Sequence, residues 1–203
     1  MGGDSNGAPL SRLPWQFEEM SPLQIREDDL TSKEVAHLLR DHLENMIEIT
    51  PPESVHALDL EELRSPDITF WSAWEGDELL GCGALKKLDS RSGEVKSMRT
   101  AEAHRGRSVA SRILEHIIQE AKRRGYDFLS LETGTMPEFA PARAFYLRHE
   151  FEHCGPFAEY TDDPNSVFMT KTLYDPFLEI RHNSEAGKYM KSMSEISVAP
   201  RCS

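Results

Sequence analysis

The sequence predicts a mixed α/β (α+β) domain, and three observations carry that expectation. Apolar runs of strand length are interspersed with strongly amphipathic helical stretches. A hairpin signature lies near the middle of the chain. A strand, a glycine-containing turn and a long helix then follow one another without a break between Glu94 and Lys122.

Taken in order, Leu23-Gln24-Ile25-Arg26 alternates and reads as a first strand. Thr31-Ser32-Lys33-Glu34 reads as a capping box ahead of Val35, Leu38, Leu39, His42 and Leu43, which recur at helical spacing. Pro51-Pro52 interrupts, and Glu53 to Leu63 is predicted as a second, short helix. Ile68 to Trp74 is a strand, Glu75-Gly76-Asp77-Glu78 a hairpin turn and Leu79 to Leu88 the return strand. Gly81-Cys82-Gly83 inside it reads as a bulged region of small residues for close packing. It lacks the last glycine and the following helix of a dinucleotide fingerprint.

Asp89 to Gly93 turns into the strand Glu94 to Thr100. Val109, Ile113, Leu114, Ile117, Ile118 and Ala121 form one apolar face of the next helix, which Gly125 ends. Phe128-Leu129-Ser130-Leu131-Glu132 suits a central strand. A helix from about Pro141 to His149, a strand starting near Phe151 and a last strand Val167-Phe168-Met169-Thr170 complete the pattern. The organisation expected is a loose leader over 1–22, one domain over 23–173 and an appended tail over 174–203.

The chain has 203 residues, 35 acids against 23 Lys and Arg, and a net charge of −12. That balance argues against nucleic-acid or anionic-membrane binding; it fits an ordinary soluble acidic protein and would also suit a cationic or amine substrate. No apolar run approaches the ~18 residues that span a bilayer. Cys82, Cys154 and Cys202 show no paired spacing, which points to a reducing, cytoplasmic setting. Cys82 and Cys154 read as small buried hydrophobes rather than nucleophiles.

Arg105-Gly106-Arg107-Ser108-Val109-Ala110 is the turn between strand and long helix. The first N–H groups of a helix lack internal partners and its dipole favours negative charge there, so this turn is an anion site. Two arginines and a glycine within it point to a phosphate-bearing ligand. His149-Glu150-Phe151-Glu152-His153 also satisfies the H-E-x-x-H zinc-hydrolase pattern, which needs one continuous helix. Gly155-Pro156 follows at once and Phe151 is expected to start a strand, so zinc hydrolysis stands only as a rival reading and no metal is expected.

These residues resemble the GNAT superfamily of acetyl-CoA-dependent N-acetyltransferases. That family's signature is Arg/Gln-x-x-Gly-x-Gly/Ala between a strand and a long helix. Arg105 and Ala110 match it, with Ser108 in place of the middle Gly, a replacement that expects no positive φ at that position. Ala142, Tyr146 and Phe151 match the spacing of the family's later helix, with Phe139 where the family has Asn and Glu150 where it has Gly. His56-Ala57-Leu58-Asp59, Lys96-Ser97-Met98-Arg99, Gly155-Pro156-Phe157 and Asp163-Pro164-Asn165-Ser166 look particularly like YsnE-type bacterial members.

The resemblance implies a mostly antiparallel sheet with helices on both faces, splayed between the fourth and fifth strands. It implies acetyl-CoA as co-substrate, with Met98, Arg99 and Thr100 along the pantetheine arm. Arg105, Gly106, Arg107, Ser108, Val109 and Ala110 would hold the pyrophosphate, with Ala142 nearby. Tyr146 would be the general acid. Glu94 is the favoured base, Glu132 the alternative, and a water relay using neither stays open. His56 and Asp59 are candidates for substrate contact. The function expected is direct acetyl transfer to an amine of a small molecule or protein, with a homodimer admissible. A non-catalytic CoA-binding sensor is the alternative that Ser108, Phe139 and Glu150 keep open.

Overall fold

A computed structural model describes residues 22–173; the leader and tail expectations lie outside the described residues, apart from Pro22. The elements are β1 (Gln24–Glu27), α1 (Lys33–Ile49), β2 (Ile68–Glu75), β3 (Glu78–Lys87), β4 (Ser92–Thr100), α2 (Val109–Arg123), β5 (Phe128–Gly134), α3 (Ala140–Arg148), β6 (Glu152–Cys154) and β7 (Ser166–Thr172). One seven-stranded sheet has the order β1-β2-β3-β4-β5-β7-β6. Among the described residues only β4 and β5 pair in parallel, and every other neighbour is antiparallel.

Why β2 is buried on both sides is visible in its side chains. Trp71 and Ala73 join the core under α2, while Phe70 and Trp74 join the core under α1. Period-two alternation sends successive residues to opposite faces, so an apolar strand needs a helix on each side. Helix α1 supplies Val35, Leu38 and Leu39, and α2 supplies Val109, Ile113, Leu114, Ile117 and Ala121. Fully burying each such Ile, Leu or Val side chain contributes about 1.5–3 kcal/mol. Ser32 caps α1 by accepting from the Val35 N–H at 3.2 Å.

The expected helix from Glu53 to Leu63 is absent. Two 3-10 turns, Pro52–Ser54 and Glu62–Arg64, stand at its ends with non-helical chain between them. Asp59 and Glu62 cap one another's N–H groups at 2.8 and 2.9 Å, which starts a turn at Asp59 rather than continuing a helix into it. Leu63 is then free to drop into the α1-side core.

The small residues of β3 do what was expected of them. The β3–β4 register shifts between Cys82 and Ala84, a bulge matched by Ser97 at φ 51°. A Cβ on Gly81 would stand 2.5 Å from the Arg99 carbonyl, and one on Gly83 2.6 Å from Met98 Sδ. Cys82 is sealed, its thiol pushed up to about 12 by burial. Cys154 is instead half-buried, because β6 is the edge strand of the sheet. Among the described residues no helix is long and apolar enough to cross a membrane.

Candidate active site

Strands β4 and β5 are paired only at Ser92–Phe128, Gly93–Leu129 and Glu94–Ser130. Beyond Glu94 they diverge, so β4 from Val95 to Thr100 has no strand partner on that side. Thr133 and Gly134 of β5 instead continue to pair with β7. The opening is a cleft of about 940 Å³ that reaches from His56 to the first turn of α2 and across to Tyr146 of α3.

At one end lies the anion turn. Gly106 has φ 79° and Ser108 has φ 60°, so the serine occupies the left-handed region that its presence was expected to exclude. Its side chain makes no capping hydrogen bond. Glu150, the other departure from a family glycine, likewise has φ 64° directly after the last residues of α3. The backbone path that favours glycine is therefore kept at both positions, at a strain of roughly 1 kcal/mol each. Arg105, Gly106, Ser108, Val109 and Ala110 line the cleft. Arg107 turns away, forming an ion pair with Glu75 at 2.7 Å and a hydrogen bond with His104 at 3.0 Å. His104 in turn lies 3.1 Å from Glu78, so the β2–β3 hairpin braces the outer side of the turn.

The middle of the cleft holds Met98 and Thr100 on β4, with Ala142 and Tyr146 on α3. Tyr146 is buried edge-on against Phe145 and Phe151, and burial pushes its phenol far above the ordinary range. It is therefore protonated at neutral pH. Arg143 secures the end of β5 by donating to the Gly134 and Met136 carbonyls at 2.6 and 3.1 Å.

The far end is a buried polar cluster. Glu94 is 2% exposed and accepts from the Tyr160 hydroxyl at 2.7 Å, while Lys96 lies 3.3 Å away. Lys96 also donates to Tyr160 Oη at 2.9 Å and to the His56 carbonyl at 3.1 Å. Glu132 lines the cleft and accepts from Ser166 Oγ at 2.7 Å. Burial raises its carboxyl above the ordinary range. His56 lines the cleft with its ring 5.0 Å from that of Tyr160, whereas Asp59 is taken up in its mutual cap with Glu62.

Tyr160 is the residue sequence reasoning missed. It sits in an aperiodic stretch and meets Glu94 only through the return of the chain beside β4. The spacing Phe157-x-x-Tyr160 was the available signal, since Phe157, Tyr160 and Phe168 pack together at 5.1–5.9 Å.

The zinc-hydrolase pattern does not survive. Helix α3 ends at Arg148, Glu150 is left-handed, and His153 belongs to β6. The two histidines thus lack the shared helix that would aim both at one metal ion. Among the described residues no group of three His, Cys, Asp or Glu side chains is placed to hold a metal.

A sheet splayed next to a helix N-terminus, with a buried tyrosine across the gap, forms a cleft suited to a phosphate-bearing acyl donor. The Acetyltransferase (GNAT) family profile matches residues 33–151, and the chain belongs to that family. Its reaction is acetyl transfer from acetyl-CoA. The chain is 60% identical over 151 residues to the uncharacterized N-acetyltransferase YsnE of Bacillus subtilis (strain 168), covering 74% of this chain and 100% of that protein. It is 52% identical over 149 residues to the uncharacterized N-acetyltransferase YedL of Escherichia coli (strain K12), covering 73% and 94%. A solved structure of a putative acyl-CoA N-acyltransferase from Klebsiella pneumoniae subsp. pneumoniae MGH 78578 superposes with a TM-score of 0.59 at 26% identity, covering 75% of this chain and 98% of that one.

Proposed function

We propose that the cleft between β4 and β5 seats acetyl-CoA and that an amine attacks its thioester directly there. The observation that carries this reading is the loss of β4–β5 pairing beyond Glu94, which leaves a free strand edge leading to the anion turn. The backbone of Met98, Arg99 and Thr100 would pair with the pantetheine amides as an added strand does. The N–H groups from Ser108 to Ala110 would take the pyrophosphate, with Arg105 as the charge partner. The Arg107 side chain supports the turn from outside through Glu75.

In this reading the amine nitrogen bonds to the thioester carbon, the C–S bond breaks, and the thiolate takes its proton from Tyr146. Glu132 accepts the proton of the amine. It faces the cleft with one hydrogen bond from Ser166, and its raised pKa brings its basicity closer to neutral pH. Glu94 is sealed behind Tyr160 and Lys96 and serves as a positioning residue that orients both. Cys82, buried outside any disulfide, agrees with a cytoplasmic location.

The test is CoA release from acetyl-CoA over a panel of amines, with acetyl-CoA affinity measured alongside by calorimetry. Tyr146→Phe and Glu132→Gln should each lower kcat by about 10²-fold while binding acetyl-CoA as wild type does. A variant that turns over at the wild-type rate removes that residue from the chemistry.

A further inference from the structure

The acceptor end of the cleft has two poles. Glu94, Lys96, His56 and Glu132 form the acidic one, where two carboxylates face one lysine. The other pole is Arg99. Its place in the register is opposite Cys82, two positions along β3 from the partner of Lys96, which is about 7 Å along the strand. Cys82 belongs to the core under α1, and the Arg99 side chain stands among the groups of that same side, facing α1 rather than α2.

Arg99 lines the cleft and has no hydrogen-bond or ion-pair partner for its guanidinium among the described residues. The carboxylates within electrostatic range, Asp41 and Glu102, are exposed and make no hydrogen bond or ion pair to Arg99 among the described residues. Asp41 is 3.6 Å from His37, and Glu102 is 3.7 Å from Arg105. Burial and then the charge of Arg105 work against the Arg99 cation, offset in part by Cys82, Glu102 and Asp41, so an anion in the cleft would favour it. On the same wall His42 is held neutral, its pKa pushed down to about 4 by burial and then by Arg99. Its Nδ1 is buried without a hydrogen-bond partner among the described residues. The half-buried guanidinium on this wall lines the cleft without a partner, and an anionic ligand group would supply one.

We infer that the acceptor is an amine that also carries a carboxylate, with the carboxylate bound by Arg99 beside His42 and the amine directed to Glu132. Resting on the acetyl-transfer reading above, this narrows the acceptor to amino acids and amino-carboxylates. Simple polyamines and other purely cationic amines place a charge against Arg99 and are poor acceptors.

The anion that Arg99 awaits has two sources, the carboxylate of the acceptor or a phosphate of the donor, and kinetics separates them. Free α-amino acids, β-alanine and 4-aminobutyrate are each assayed against their carboxamides by CoA release, with wild type and Arg99→Gln. Acetyl-CoA affinity is measured by calorimetry on both proteins. The expected result is a preference of about 10–100-fold in kcat/KM for at least one acid over its amide, the range one charge-assisted hydrogen bond supplies. Arg99→Gln keeps the backbone groups assigned to the pantetheine arm, so it should erase that preference and change acetyl-CoA affinity by less than about threefold. Amides that react as well as the acids while CoA is released overturn the inference and leave the transferase reading intact. So does an Arg99→Gln variant that loses acetyl-CoA affinity yet keeps the preference, which would assign Arg99 to the donor's phosphates. If neither these acceptors nor the amine panel releases CoA although acetyl-CoA binds, the transferase reading falls and takes the inference with it.

Discussion

Tyr160→Phe deletes one hydroxyl from the centre of the buried polar cluster and leaves the ring contacts with His56, Phe157 and Phe168 in place. The hydroxyl donates to Glu94 at 2.7 Å and accepts from Lys96 at 2.9 Å. Lys96 keeps two partners after the change, the His56 carbonyl and Glu94. Glu94, 2% exposed, keeps only Lys96. A hydrogen bond to a charged group contributes about 1.5–3 kcal/mol, and its loss inside a protein is not made good by water. The expected destabilisation is therefore about 2 kcal/mol. For a domain of this size that lowers Tm by roughly 4–8 °C. Thermal unfolding followed by circular dichroism at neutral pH measures it. A cycle with Glu94→Gln should show the two changes coupled by at least about 1 kcal/mol, since they share one bond. A Tm within 1 °C of wild type, or strictly additive changes, would refute the cluster's role in holding this end of the cleft.

Two further outcomes follow from strain and from burial. Ser108→Gly relieves a left-handed serine at φ 60° and should stabilise by up to about 1 kcal/mol, whereas Ser108→Val should cost about 1–2 kcal/mol; equal melting temperatures for the two variants would contradict the backbone reading. Glu132 has a folded-state pKa above its ordinary 4.5, so it favours folding below about pH 4.5 and loses that contribution as pH rises through its raised value. Urea unfolding of wild type and Glu132→Gln across that window should show their stability difference turning against wild type as pH rises. A difference that stays flat with pH removes the burial argument. If Glu132 is the base, the acid limb of the wild-type kcat/KM profile should also lie above the ordinary Glu value and be absent from the Gln variant.

Most of the scaffold was legible because its signals are local. The apolar face of α2 repeats at helical spacing, and Gly81-Cys82-Gly83 announced a bulge that the β3–β4 register shift bears out. The splay was implied by resemblance alone, since nothing within β4 or β5 says where their pairing stops. The failures were tertiary. Asp59 and Glu62 look like helix residues until each is seen capping the other. Ser108 argued against a left-handed turn, yet it takes φ 60° where the chain turns from β4 into α2. Arg107 looked equivalent to Arg105, and only the position of Glu75 on the neighbouring hairpin separates their directions. Tyr160 carries no periodic signal, because its importance comes from a partner 66 residues away.

The claim on which the rest depends is that acetyl-CoA lies along the free edge of β4 and ends at the first turn of α2. Hydrogen exchange with and without saturating acetyl-CoA tests it on the intact chain. Amides from Met98 to Thr100 and from Gly106 to Ala110 should slow on adding the donor, with the β1–β2 pair unchanged. Saturated protein whose residues 98–110 exchange as fast as before would place the donor elsewhere and contradict the account.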